Sequence, residues 1–234
     1  MNNTNLEQFE EIINYRFKDD ELLKKAFTHS SYANEKHIDK YDNNERLEFL
    51  GDAVLELVIS DYIYNAYPKM PEGELTKLRA GTVCESSLAE RAAQIHISDY
   101  IMLGKGEETT GGRQRDSILA DAFEAVIGAV YLDGGIDAAR KHILCQLGDT
   151  VNRIRQSLNI IDCKTRLQEE IQKTSKEPIH YEIIGESGPD HDKLFTAAVN
   201  HNGTQLGEGS GKSKKEAEQA AALDALRKMN IIKQ

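Results

Sequence analysis

Apolar positions recur at helical spacing through roughly the first two thirds of the chain. Leu6, Phe9, Ile12 and Ile13 make one stripe; Leu22, Leu23, Ala26 and Phe27 make a second. From Glu45 to Tyr64 about twenty residues pass without proline, apolar on nearly every side (Leu47, Leu50, Val54, Leu57, Val58). That pattern predicts a buried central helix, ended by Pro68 and Pro71. Further helices are predicted over about 73–95, 113–132 and 136–156, with no alternating strand pattern between them. The segment Gly104 to Gly112, rich in glycine and polar residues, reads as a mobile loop.

From about residue 162 the pattern changes. A helix from Thr165 to Thr174 precedes three strand-like runs, Ile179 to Ile184, Leu194 to Asn200 and Thr204 to Glu208. Asn202-Gly203 between the last two is a two-residue hairpin signal. A final helix is predicted from Lys214 to Met229. The fold class is therefore an all-α domain over 1–155 followed by a small α+β domain over 162–231, in α-β-β-β-α order. Arg155 to Asp162 holds no long flexible tract and reads as a short linker.

Two groups of acidic residues stand out against the apolar helices. Glu45, Glu48 and Asp52 fall at i, i+3 and i+7, so a helix stacks all three carboxylates on one face. Asp121 and Glu124 repeat the i, i+3 spacing among Ala120, Ala122, Ala125, Val126 and Ile127. Carboxylates on a buried helix are costly unless paired or bound to a cation. Facing helices would gather Glu48, Asp52, Asp121 and Glu124 into an all-oxygen pocket suited to Mg²⁺ or Mn²⁺ rather than zinc. The alternative left open by spacing is ion pairing at the surface with Arg46, Arg79 or Arg115.

Charge and composition change the picture in three places. The net charge of −10 argues at first against nucleic acid, yet residues 1–158 carry −9 of it and residues 159–234 only −1. No run approaches the roughly 18 apolar residues of a membrane span, and the amino terminus lacks the basic and apolar regions of a secretory signal. Cys84, Cys145 and Cys163 are odd in number and form no C-x-x-C pair, which fits reduced thiols in a cytosol.

The segment Asn44-Glu-Arg-Leu-Glu-Phe-Leu-Gly-Asp52 resembles the signature of the ribonuclease III family. So do Ala26-Phe-Thr-His-Ser-Ser-Tyr32, Pro71-Glu-Gly-Glu-Leu-Thr-Lys-Leu-Arg79 and the run from Ser117 to Tyr131, collinear over essentially the whole chain. The resemblance implies a helical endonuclease domain that dimerises and uses Mg²⁺, with Mn²⁺ as a substitute. Glu48, Asp52, Asp121 and Glu124 would hold the metal, and Asp52 and Glu124 match the positions called catalytic. Glu45 and Glu72 match accessory acidic positions. Phe49 matches an aromatic that projects into the partner subunit. His29, between Thr28 and Ser30, reads as a hydrogen-bonded structural residue rather than a general base.

Near the carboxyl terminus, Ser213 with Glu216 three residues on reads as a capping box. Lys212, Lys214 and Lys215 would then surround a helix amino terminus, a site already favourable for phosphate. With the α-β-β-β-α order, this start resembles the double-stranded RNA-binding domain. The resemblance assigns Thr165, Gln168 and Glu169 to one minor groove and the loop Gly188-Pro-Asp-His191 to the next, with Lys212, Ser213, Lys214 and Lys215 at the phosphates between. The function implied is cytoplasmic, Mg²⁺-dependent cleavage of double-stranded RNA by a homodimer. Ribosomal RNA precursors and structured messenger RNA would be its substrates, and the products would carry 5′-phosphates and two-nucleotide 3′ overhangs.

Overall fold

The computed structural model describes residues 3–39, 41–161, 163–189 and 193–231. It divides into two compact units, Met1–Ile154 and Arg155–Gln234. The first is built from α1 (Asn3–Ile13), α2 (Asp20–Ala26), α3 (Ser30–Glu35), α4 (Glu45–Ala66), α5 (Glu72–Val83), α6 (Glu85–Gln94), α7 (Lys105–Thr109) and α8 (Asp116–Ile161) up to Ile154. None of the described helices is long and apolar enough to cross a membrane. The stripes of α1 and α2 meet in an aromatic cluster. Phe9 packs edge-on against Phe27, with ring centroids 4.8 Å apart, and Tyr100 stacks on Phe27 at 5.6 Å.

Helix α4 is central but is not buried on every side. Leu47, Val54, Leu55, Val58, Ile59 and Ile63 face the core. Phe49, Leu57 and Tyr64 are 79%, 59% and 71% exposed. Their spacing of eight and seven residues places them in one row about two turns apart.

The stretch 73–95 is two helices rather than one. Cys84 is extended (ψ 153°) between α5 and α6, and the Ser87 hydroxyl donates to the Gly81 carbonyl across the break, 2.8 Å. Serine side chains compete for backbone groups in this way and favour helix starts over interiors.

Helix α8 kinks at Gly135, whose φ of 77° is left-handed. Just before the kink, the Asp133 carboxylate accepts from the Tyr15 hydroxyl (2.6 Å) and from the Lys18 and Asp19 amides (3.0 Å each). The second half continues to Ile161, so most of the expected linker is helical. Residues 153–161 contain neither glycine nor proline to stop it.

The segment 104–112 is also more ordered than its composition suggests. The Lys105 amide donates to Glu35 Oε2 (2.6 Å) and the Gly104 amide to Ser31 Oγ (3.0 Å). Arg113 forks onto Glu108 (2.8 and 2.5 Å) and donates to the carbonyls of Ile101 (3.0 Å) and Ser98.

The second unit runs α9 (Cys163–Gln172), β1 (His180–Ser187), β2 (Leu194–His201), β3 (Thr204–Gly211) and α10 (Lys214–Lys228). The antiparallel sheet has the order β1-β2-β3. Both helices cover it through Leu167, Ile171, Ala197, Val199, Ala221, Ala225 and Leu226. Asn202 (φ 50°) and Gly203 (φ 74°) turn the β2–β3 hairpin with two positive φ angles, the conformation for which Asn-Gly is favoured.

Candidate metal centre and RNA-binding surface

Helices α4 and α8 cross with their backbones in contact. A Cβ added at Gly51 would overlap the Glu124 carbonyl oxygen, and one added at Gly128 would overlap the Leu47 carbonyl oxygen. Gly51 lies between Glu48 and Asp52, and Gly128 lies one turn past Glu124. The crossing thus brings together two acidic pairs about seventy positions apart in sequence.

The electrostatics follow from that placement. Burial, then the charges of Asp52, Glu48, Asp121 and Glu56, push the Glu124 carboxyl up to about 8. Burial, then Asp121, Glu45 and Asp52, push Glu48 up to about 7. Asp121 is also raised, by burial and by Glu85, against a lowering by His29. Without a cation, burial and mutual repulsion favour the protonated forms of Glu124 and Glu48, so a metal ion must compete with protons there.

Of the three arginines named above, two pair with other carboxylates: Arg79 with Glu56 (3.0 Å) and Arg115 with Glu107 (2.8 Å). Among the described residues no ion pair involves Glu48, Asp52, Asp121 or Glu124, and no three acidic, His or Cys side chains are drawn in closely enough to form a ready-made cage. Four oxygen-bearing side chains without an ion-pair partner, Glu48, Asp121 and Glu124 half-buried and Asp52 exposed beside them, fit a hard divalent cation that would pull them together on binding.

Three other acidic or basic groups sit beside the cluster. Glu56 continues the ladder at i+4 from Asp52, so the same spacing argument reaches it. Glu85 and His29 carry no such signal; the tertiary fold alone brings them to Asp121. His29 caps α3, its Nδ1 accepting from the Ser31 amide at 3.2 Å. Glu45 opens α4 and is exposed. Glu72 does not join the cluster within the chain. It opens α5, accepts from the Thr76 hydroxyl (2.9 Å) and lies beside exposed Tyr64 at the far end of α4.

In the second unit Thr165, Gln168 and Glu169 are exposed on α9, while Leu167 and Ile171 face inward. Ser213 caps α10 by accepting from the Glu216 amide (3.2 Å), and Glu216 reaches back to the Lys212 amide (2.8 Å). Lys212, Lys214 and Lys215 are exposed around that helix start, with Lys214 Nζ 5.9 Å from the centre of the Phe195 ring. His191 lies outside the described residues. Replacing Lys212, Lys214 and Lys215 together by alanine is expected to lower the slope of log affinity for duplex RNA against log salt by about one per lysine, measured by titration at several salt concentrations.

The chain matches the Ribonuclease-III-like family over residues 19–150 and the Double-stranded RNA binding motif over residues 163–229. It is 51% identical over 223 residues to Ribonuclease 3 of Listeria monocytogenes, covering 95% of this chain and 97% of that protein. Identity to Ribonuclease 3 of Caldanaerobacter subterraneus is also 51%, over 228 residues, covering 97% of this chain and all of its relative. Among solved structures, the nuclease domain of ribonuclease III from Campylobacter jejuni, described as flexible in a region involved in dimer formation, is similar. Its TM-score is 0.58 at 43% identity, covering 62% of this chain and 96% of that domain. Acidic pairs at a helix crossing, followed by an α-β-β-β-α unit with lysines at a helix start, thus coincide with full-length likeness: the chain belongs to the ribonuclease III family, endoribonucleases of double-stranded RNA.

Proposed function

We propose that the chain cleaves double-stranded RNA with Mg²⁺ as its cofactor and Mn²⁺ as a substitute, and that Glu48, Asp52, Asp121 and Glu124 hold the ion. The observation that carries the reading is the uncompensated carboxylate cluster at the Gly51–Gly128 crossing. It supplies the site for the divalent metal on which the family depends. A cation held by these four carboxylates would supply a more acidic water and offset charge developing on the scissile phosphate. Asp52 and Glu124 act at the reacting atoms. Glu124 is the most strongly perturbed member, flanked by Asp52, Glu48 and Asp121. Glu45, on the same face one turn earlier, steadies the ion or the RNA.

The nuclease domain spans 1–155 and the RNA-binding domain 162–231. In the latter, Thr165, Gln168, Glu169 and His191 contact 2′-hydroxyls, while Lys212, Ser213, Lys214 and Lys215 hold phosphates. The exposed row Phe49, Leu57 and Tyr64 is where a second copy docks, a reading supported by its exposure and by the similar Campylobacter jejuni nuclease domain, described as having a region involved in dimer formation. Glu72, beside Tyr64, becomes an accessory group only across that interface. Two sites on one duplex each cut one strand, leaving 5′-phosphates and two-nucleotide 3′ overhangs. Ribosomal RNA precursors and structured messenger RNA are the substrates, in a reducing cytoplasm that Cys84, Cys145 and Cys163, none of them in a disulfide, suit.

Incubating a long RNA duplex with the protein in Mg²⁺ or in chelator, followed by end analysis, tests the reading. Cleavage is expected only with metal and binding in both. Intact RNA after long incubation with Mg²⁺, or cutting in chelator, would overturn it. Phe49→Arg is expected to shift the sedimenting species from dimer to monomer, since a charge on that row cannot be buried unpaired.

A further inference from the structure

We propose that Gly128 is a positioning residue of the metal site, an inference that rests on the carboxylate reading above. Gly128 carries no ligand and touches no substrate. It sits on α8 where a Cβ would overlap the Leu47 carbonyl oxygen and lie 3.1 Å from the Leu47 carbonyl carbon and 3.3 Å from the Gly51 amide nitrogen. All three are backbone atoms of α4, so no rotamer change can make room. Its neighbours Ala125, Val126, Ile127, Ala129 and Val130 are fully buried, so α8 cannot roll aside without disturbing its packing.

Gly148, farther along the same helix, has nothing within 4 Å of its added Cβ, and at Gly134 the crowding atoms belong to the side chains of Tyr15 and Ala138. On α8 the contact with another helix's backbone is therefore local to the crossing. Since Cβ atoms are essentially never found under 3.0 Å from such atoms, a methyl at Gly128 forces α4 and α8 apart by about 1 Å. The displacement acts one turn from Glu124 and one turn from Glu48, on opposite sides of the same cluster. Oxygen ligands to Mg²⁺ tolerate little departure from 2.0–2.1 Å, roughly, and a misplacement of about 1 Å reduces rates by about 10²-fold.

The test compares the full-length chain with Gly128→Ala and, as a control, Gly148→Ala. Mn²⁺ affinity is read from the resonance of the free ion, duplex binding is measured in chelator, and cleavage is followed against Mg²⁺ concentration. Gly128→Ala is expected to keep its helical content and its duplex binding. Its Mn²⁺ dissociation constant and its Mg²⁺ requirement should rise about tenfold or more, with KM for RNA unchanged. Gly148→Ala should match the parent throughout.

If the parent itself fails to bind Mn²⁺, the metal site has been misassigned and the inference falls with it. If the parent binds and the Gly128→Ala isotherm superimposes on it, the inference alone is overturned. Should Gly128→Ala unfold, trimethylamine N-oxide, which strengthens burial by exclusion from protein surfaces, is added. A variant that refolds with parental Mn²⁺ affinity then assigns Gly128 to packing only, whereas one that refolds and still binds weakly supports positioning.

Discussion

Glu124→Gln is expected to bind duplex RNA normally and to lose cleavage by about 10³-fold or more. A single cation ligand and its charge contribute several kcal/mol to the transition state, and each 1.4 kcal/mol, approximately, is a factor of ten. The substitution preserves shape, so packing around α8 is unchanged. It also removes one of the carboxyls that Asp52, Glu48 and Asp121 repel. The metal-free variant should therefore melt no lower than the parent, which separates lost chemistry from lost fold. Gel-shift titration in chelator, gel-resolved cleavage in Mg²⁺ and calorimetry together check it. Robust cutting by this variant would remove Glu124 from the site.

Acidification from about pH 6.5 to pH 4 is expected to withdraw about 3 kcal/mol of stability through one residue, His142. The ring is buried in α8 beside Phe123, ring centroids 6.4 Å apart, and neither nitrogen makes a hydrogen bond of good geometry, although the Ile13 backbone lies near enough to act on it. Burial first, then the Arg91 charge on α6, depress it from 6.5 to about 4, against a small opposing effect of the Ile13 backbone. Arg91 is itself held in place by Gln146 Oε1, at 2.9 and 2.6 Å.

The unfolded chain takes up a proton at this residue through that window and the folded chain does not. The contribution is thus complete above about 6.5 and disappears as pH falls through about 4. His142→Leu should lose this part of the pH dependence, measured by urea unfolding of metal-free protein at several pH values. At pH 7 it should be at least as stable as the parent, because a buried imidazole without a well-formed hydrogen bond is removed. An unchanged pH slope in the leucine variant would show that the ring is not the responsible group.

Helix positions and the second unit's order were legible because they rest on local periodicity. The Asn202-Gly203 turn and the Ser213 cap follow from side-chain chemistry confined to a few residues. On sequence β3 ends at Glu208, since Gly209 and Gly211 look like breakers. They extend the strand in the structure because α10 packs over them, with Ala220 and Ala221 against Gly209 and Glu216 and Ala217 against Gly211. Helix α4 misled for a different reason. Phe49, Leu57 and Tyr64 are as apolar as core residues, and hydrophobicity alone does not say which apolar face stays exposed in a single chain.

At the site, spacing found the two acidic pairs but could not bring them together. Glu85 and His29 reach Asp121 only through the fold, and Glu72 stays away from the cluster within one chain. The clasp of Arg113 across 98–108 was likewise hidden, since glycine-rich composition says nothing about a distant guanidinium.

The contact between α4 and α8 has a genetic consequence. At Gly51 the overlapping atom would be the Glu124 carbonyl oxygen, and at Gly128 the Leu47 carbonyl oxygen. Every residue contributes the same carbonyl, so no exchange of the opposing side chain can make space for a methyl at either position. A search for suppressors of Gly51→Ala should therefore recover the original glycine and no replacement at position 124 or 47. Defects in ordinary side-chain packing, by contrast, are routinely relieved by trimming the neighbour.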